Sequence, residues 1–179
     1  TASGPQTFSF DAPTTEPTIG VIDTPFDTVH PPYFSEWVDP ILAMPADIPL
    51  EQKDYNHGTS VASLIVNGPG MNPRLEDGCG HFRVRHFGVT PYSGISSFEV
   101  ARKIEQIVRE NPEILVWNLS LGSPVETERF SISPEAEVLD RLQQERNILF
   151  VVAGTNQNAS HPRRIGAPAD SVNSLVVNS

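Results

Sequence analysis

Cysteine is almost absent from this sequence, and its N-terminal part carries no positive side chain. Cys79 is the only cysteine of 179 residues, so no internal disulfide can form, and a reducing, cytoplasmic compartment is favoured. No Lys or Arg precedes Lys53, and the net charge of the chain is −10. A chain this acidic lacks the basic surface that nucleic acids require, so we expect no nucleic-acid partner.

Long apolar runs are missing as well. No run approaches the roughly 18 residues that cross a bilayer, so we expect no membrane partner. No basic segment followed by an apolar one opens the chain, and no secretory signal is expected. Thr1 is not an initiator residue, so we expect the natural start to lie upstream. The remaining composition, 38% hydrophobic and 19% charged, is typical of one globular domain.

The apolar pattern predicts strands that alternate with helices. Short apolar runs predict strands at 18–23, 82–89, 114–121, 148–153 and 174–177. Helical spacing predicts helices from His57 to about Val66, after the cap Ser96, and after the cap Ser133. This order is typical of an α/β, three-layer fold, with a mostly parallel sheet and helices on both faces.

Two further segments lack this periodicity. Residues 1–17 are rich in Thr, Ser and Pro and predict an extended N-terminal arm before a single domain at 18–179. Residues 25–53 contain six prolines and predict a long connection, with at most a short helix near 33–43. Long connections in compact domains are often functional.

Asp23 and His57 occupy places where such folds build their sites. Asp23 ends the first strand, and open α/β sheets form sites at the carboxyl ends of their strands. His57 precedes Gly58 and enters a predicted helix, whose positive N-terminal dipole disfavours a second positive charge. A neutral imidazole there suits a general base. From this stretch alone, a core histidine at a helix start is an equal alternative.

Four segments of the sequence resemble motifs of the subtilases, the subtilisin-like serine peptidases. Residues 18–24 (TIGVIDT) resemble the aspartate motif, and residues 57–62 (HGTSVA) resemble the histidine motif. Residues 118–122 (NLSLG) resemble the substrate-binding strand, and residues 150–156 (FVVAGTN) resemble the segment that carries the oxyanion-hole asparagine. The aspartate precedes the histidine, as in subtilisin itself. The resemblance extends over residues 18–179.

The resemblance implies a serine endopeptidase that hydrolyses peptide bonds with an Asp-His-Ser triad. Asp23 would orient His57, and His57 would act first as general base and then as acid towards the leaving amine.

The resemblance also implies that the partner is a polypeptide substrate. The extended backbone of this substrate would pair as an added strand with Ser120, Leu121 and Gly122. Ala153 and Gly154 would form a wall of the primary specificity pocket.

The oxyanion-hole position is shifted relative to the family. The asparagine usually follows Ala-Gly directly, whereas Thr155 intervenes here. We expect Asn156 to fill the position, with Thr155 as the alternative. An amide donor there would be worth about 3 kcal/mol of transition-state stabilisation.

The family's nucleophile has no counterpart in this sequence. Its serine lies in a Gly-Thr-Ser-x-Ala-x-Pro segment, which residues 58–62 (GTSVA) resemble. Ser60, however, stands one helical turn from His57, where side chains point the same way, and Leu64 replaces the proline. We therefore expect the serine beyond Ser179 and an inactive chain. The helix that carries this serine would normally cover apolar surface of the domain. Without it, either the missing C-terminal part or self-association of the chain would cover that surface.

Several other residues of the sequence suggest different kinds of site. Cys79 and His81, with His86 and Asp77, suggest a metal site or a cysteine nucleophile, but their spacing matches no standard zinc pattern. Calcium is common in the resembled family, yet no cluster is assignable, and no cofactor is expected. The small basic group Arg83, Arg85 and His86 is expected to be solvated. The functional alternative is a non-catalytic, subtilase-like module that binds peptides or another domain.

Overall fold

One parallel sheet organises the protein. The structure is a computed structural model that describes residues 10–122, 127, 131–154 and 165–178. Its strands are β1 (Thr18–Asp23), β2 (Val38–Leu42), β3 (Arg83–Gly88), β4 (Val116–Leu119), β5 (Leu149–Ala153) and β6 (Leu175–Val177). Its α-helices are α1 (Gln52–Met71), α2 (Ser97–Glu110) and α3 (Pro134–Arg146). The strands lie in the order β2-β3-β1-β4-β5-β6, and all five neighbouring pairs are parallel.

The helices pack on both faces of this sheet, which confirms the predicted α/β class. Successive residues of a strand point to opposite faces, so β1 contributes to two cores. Ile22 belongs to the core under α2 and α3, together with Trp117 and Phe150. Val21 belongs to the core under α1, together with Val66. Both cores consist of nearly inaccessible side chains, so burial of apolar surface holds the three layers together.

Two predicted helix caps are confirmed. The Ser96 side chain accepts a hydrogen bond from the backbone N–H of Glu99, and α2 begins at the next residue. The Ser133 side chain accepts from the N–H of Ala136 in the same way, with Pro134 as the first residue of α3. Both caps satisfy an N–H group that the helix itself leaves without a partner.

The connection between β1 and α1 was predicted incompletely. Where a short helix was allowed, a single 3-10 turn (Ser35–Trp37) is followed by strand β2, which the sequence did not indicate. Pro40 lies within β2 and has no N–H to donate. The strand tolerates it because, within the described residues, β2 is the edge of the sheet and pairs only with β3.

Helix α1 begins five residues earlier than predicted. Glu51 and Asp54 form a reciprocal capping box, in which the Glu51 N–H donates to the Asp54 carboxylate over 2.7 Å. The helix also continues to Met71, past a non-helical Asn67 that coincides with the predicted end. His57 consequently lies in the second turn of α1, and the prediction that it occupies the first turn is wrong.

The described part of the N-terminal arm, residues 10–17, contains no helix or strand and packs on the domain. The Phe10 ring contacts Trp37 and His81, and the Trp37 indole donates to the Asp11 carbonyl over 2.7 Å. Among the described residues, no helix is both long and apolar enough to cross a membrane.

Helix α1 covers β1 and β3, whereas the same face of β4 to β6 has no helix over it among the described residues. Leu175 and Val177 lie on this face of β6 and are each 53% exposed. The neighbouring Asn118 and Val151 are only partly buried. Apolar side chains therefore remain accessible beside α1.

A substitution at Gly20 tests how tightly β1 packs against the side chain of Trp117. A Cβ on Gly20 would lie 2.3 Å from Cε3 of Trp117, whose side chain is fully buried. We expect Gly20→Ala to destabilise the protein by about 1–3 kcal/mol, because the indole cannot move without displacing the core. Thermal unfolding measures this as a fall in Tm of about 2–4 °C per kcal/mol.

Gly68→Ala is the control for this substitution. The nearest side-chain atom to its added Cβ is Cδ1 of Leu75 at 3.5 Å, an ordinary contact. The two variants should therefore differ clearly in Tm. Equal Tm values would show that the close approach of Gly20 and Trp117 does not limit the packing.

Candidate active site

The carboxylate of Asp23 and the imidazole of His57 meet at the carboxyl edge of the sheet. The His57 Nδ1 atom lies 2.6 Å from the Asp23 Oδ1 atom. Asp23 is fully buried at the end of β1, whereas the His57 side chain on α1 is 49% exposed. A buried carboxylate is costly unless it is paired, so this contact stabilises Asp23 as well as orienting the ring. The two residues were predicted to meet here, and they do.

The backbone that follows β1 holds the pair in place. The Thr24 N–H donates to Asp23 Oδ1 over 2.6 Å, so this oxygen accepts from Thr24 and contacts His57. The Thr24 hydroxyl accepts from the Gly58 N–H over 3.0 Å. The Asp27 N–H donates to the Thr59 hydroxyl over 2.9 Å. Residues 24–27 are therefore bound to the turn of α1 that carries His57.

The contact with Asp23 changes the acidity of the histidine. The hydrogen bond to Asp23 raises the pKa of His57, burial of the ring lowers it, and the charge of Asp23 raises it further. The net direction is upward, whereas a position in the first turn of the helix was expected to favour the neutral ring. The dipole effect is confined to the first turn of a helix, and His57 lies beyond that turn.

The second ring nitrogen of His57 is available for a reaction. Among the described residues, Asp23 is the hydrogen-bond partner of this ring, and it contacts Nδ1. Since about half of the side chain is exposed, a substrate or a further segment can reach Nε2. A ring held at Nδ1 and accessible at Nε2 is suited to proton transfer.

Ser60 does not contribute a nucleophile to this site. Its hydroxyl donates to the backbone carbonyl of Asn56 over 2.7 Å, within α1 itself. This geometry agrees with the expectation that a serine one turn from His57 points the same way as the histidine instead of facing it.

The predicted substrate-binding segments lie next to each other. Residues 120–122 continue the chain beyond β4 without belonging to a ladder, and Gly122 is exposed. A Cβ on Gly122 would lie 3.7 Å from the Gly154 carbonyl oxygen, so the two segments adjoin. Ala153 pairs with Val177 in the sheet, and Gly154 donates its N–H to the Val177 carbonyl over 2.7 Å. Thr155 and Asn156 lie outside the described residues.

A cleft of about 370 Å³ lies beside these segments. It includes Leu121 and Gly122 on one side and the N-terminal half of α2 on the other, and it reaches Thr24 next to the Asp23–His57 pair. Its walls are mostly apolar and include Ile95, Val100, Ile104, Leu119 and Pro168, and Glu135 contributes a carboxylate. An extended peptide lying along residues 120–122 could place a side chain in this cleft.

His86 and Thr24 are site residues that sequence reasoning missed. His86 was expected on a solvated basic surface, yet it is fully inaccessible, and its Nε2 atom lies 2.8 Å from the Thr24 carbonyl oxygen. Burial lowers the pKa of His86, so the ring stays neutral. The period-two alternation of β3 contained the signal, because Val84 and His86 point to the same face of the sheet and Val84 is in the core.

The alternative chemistries receive no support from the geometry. Among the described residues, no group of three or more His, Cys, Asp and Glu side chains could hold a metal ion. Cys79 is exposed, and a hydrogen bond with Asp77 raises the pKa of its thiol, which disfavours the nucleophilic thiolate.

Several solved structures resemble the chain over about nine-tenths of its length. The prenylagaramide maturation protease PagA is 24% identical, with a TM-score of 0.58 and coverage of 89% of this chain and 52% of that chain. Pseudomonas sedolisin, a serine-carboxyl proteinase, is 15% identical (TM-score 0.57; 92% and 50% covered). The A-subunit of the AB5 toxin from E. coli is 21% identical (TM-score 0.56; 90% and 55% covered). The chain spans about half the length of these structures.

At these identities the structural matches show the shared fold. No curated protein matches the chain. The model of the subtilase family, in contrast, matches residues 14–179, which include both Asp23 and His57. On this match, together with the parallel six-stranded fold, the chain belongs to the subtilase family of peptidases.

Proposed function

We propose that the chain forms part of a serine endopeptidase of the subtilisin type, in which Asp23 and His57 are two members of the triad. The observation that carries this proposal is the contact of 2.6 Å between a buried carboxylate and Nδ1 of a half-exposed imidazole. The accessible Nε2 would take the proton of a serine hydroxyl as it attacks the peptide carbonyl. The buried Asp23 would stabilise the imidazolium that forms, and His57 would then protonate the leaving amine.

The nucleophile would come from a segment C-terminal to residue 179. Among the described residues, no serine hydroxyl hydrogen-bonds to His57. The open face of β4 to β6, with Leu175 and Val177 exposed, adjoins α1 and would receive the segment that carries the serine. A serine packed there would approach Nε2 from a different element. The 179-residue chain alone would then have no group to acylate and no peptidase activity.

The substrate would be a polypeptide bound in extended form. Ser120, Leu121 and Gly122 lie beyond the paired part of β4, so their backbone groups could pair with a peptide strand. Ala153 and Gly154 adjoin them and would wall the primary specificity pocket. The apolar cleft next to Leu121 would accept a side chain further along the peptide. The amide of Asn156 would stabilise the oxyanion, a contribution of about 3 kcal/mol.

Labelling with a serine-directed fluorophosphonate separates an enzyme from a peptide-binding module. We expect a longer protein, in which the chain is joined to its C-terminal segment, to be labelled, and the 179-residue chain to remain unlabelled. His57→Ala should slow the labelling by at least about 10³-fold, because the hydroxyl loses its base. His30→Ala is the matched control, since the imidazole of His30 is exposed and lies outside the site.

Two results of the labelling experiment would contradict the proposal. A longer protein that is folded but not labelled would identify a non-catalytic member of the family that binds peptides. Labelling of the 179-residue chain would place the nucleophile within the chain itself.

The pH dependence of the reaction follows from the direction of the His57 pKa. A general base works in its neutral form, so kcat/KM should rise with pH through a pKa above the ordinary value of about 6.5. Asp23→Asn removes the negative charge that raises this pKa and leaves burial, which lowers it. We expect the acid limb to move to lower pH, while the maximal rate falls by roughly 10⁴-fold.

Asp47→Asn is the control for the loss of one carboxylate, because Asp47 is exposed and lies in the loop between β2 and α1, outside the two elements that carry the pair. Its acid limb and rate should match those of the unaltered protein. An Asp23→Asn variant with an unshifted limb, measured by kinetics or by NMR titration of His57, would contradict the assigned role of Asp23.

A further inference from the structure

His86 stands directly behind the Asp23–His57 pair and takes no part in it. It lies opposite Val21 in the parallel register of β3 and β1, two positions before the residue opposite Asp23. Alternation along a strand therefore places Asp23, Val21 and His86 on the same face, the one that α1 covers. The imidazole is fully buried, and its ring centroid lies 5.9 Å from that of Phe26.

The hydrogen bond of His86 fixes which nitrogen carries the proton. Nε2 lies 2.8 Å from the Thr24 carbonyl oxygen. A carbonyl oxygen can only accept, so Nε2 must be the donor. In the neutral ring Nδ1 is then a bare acceptor, and this atom is buried without a hydrogen-bond partner among the described residues. An apolar side chain would avoid this unsatisfied nitrogen but would lose the donor to Thr24.

Thr24 connects His86 to the pair. Its carbonyl accepts from His86, its N–H donates to the Asp23 oxygen that contacts His57, and its hydroxyl accepts from Gly58. Each hydrogen-bonding group of this one residue is therefore bound to a different residue of the site. The packing around the carbonyl is tight, because a Cβ on Gly58 would lie 2.1 Å from Thr24 O and 2.9 Å from Nε2 of His86.

We propose that His86 is a positioning residue for the Asp23–His57 pair. By holding the Thr24 carbonyl, its Nε2–H fixes the backbone at the end of β1, and through the Thr24 N–H it fixes the Asp23 carboxylate against Nδ1 of His57. The role of the pair in catalysis rests on the proposed function, whereas the geometry of the pair does not.

Three substitutions at position 86 separate positioning from filling of space. His86→Gln retains a donor, because the glutamine amide nitrogen is as many bonds from Cα as Nε2 of histidine. His86→Asn retains polarity but places its nitrogen at the level of the bare Nδ1. His86→Leu removes the donor together with the unsatisfied nitrogen. All three are buried substitutions, so thermal unfolding is measured alongside the site.

The readout is the His57–Asp23 pair itself, observed by NMR of the protein labelled with ¹⁵N-histidine. In the unaltered protein and in His86→Gln we expect a low-field Nδ1 proton on His57 and a raised His57 pKa. In His86→Leu and His86→Asn the proton signal should broaden through exchange, and the pKa should fall towards the ordinary value. In a longer, active protein these two variants should lose roughly 10- to 100-fold in kcat with little change in KM.

Two results for the His86→Leu variant would overturn the proposal. A folded His86→Leu variant with an unchanged His57 proton and pKa would overturn the proposal, and so would failure of that variant to fold, since His86 would then be structural. The unaltered protein gives an independent check, because ¹⁵N shifts of the neutral His86 ring must show Nε2 protonated and Nδ1 bare. If the NMR effects appear but the longer protein, in which the chain is joined to its C-terminal segment, is folded and has no peptidase activity, the positioning role stands and the proposed function fails.

Discussion

The contact between Asp23 and His57 imposes the main constraint on this structure. A carboxylate that is fully buried at the end of β1 needs compensating partners, and it receives them from the Thr24 N–H and the His57 ring. Both partners act on the same oxygen, while Oδ2 of Asp23 is buried and has no hydrogen-bond partner in the described part of the chain. The carboxylate is therefore held on one side only, and its orientation depends on how rigidly Thr24 and α1 are held.

The packing of helix and sheet supplies that rigidity. Gly58 has no Cβ, which lets α1 approach the end of β1 until its N–H reaches the Thr24 hydroxyl. On the other side, β3 brings His86 to the Thr24 carbonyl. Three elements that are separate in the sequence thus meet at one residue, and the reactive groups stand at their junction. The imidazole of His57 faces outwards from this fixed base, where a proton can be exchanged.

The sequence predicted those features that depend on local physical chemistry. Apolar periodicity located the helices and five of the six strands, and Ser96 and Ser133 located two helix starts, because a cap acts on residues next to it in the chain. Strand β2 was missed because Pro40 argues against a strand unless its position at the edge is known. The start of α1 was missed because the Glu51–Asp54 capping box lacks the usual Ser or Thr.

Residue types and their order were enough to single out Asp23 and His57, since an acid at a strand end and a histidine on a helix are chemically informative without coordinates. Tertiary structure alone decided the distance of 2.6 Å between the Asp23 carboxylate and the His57 imidazole, the upward shift of the His57 pKa and the burial of His86. The physical reason is that each depends on atoms far apart in the chain. Thr24 and His86 are 62 positions apart, and no local pattern records that packing brings them within a hydrogen bond.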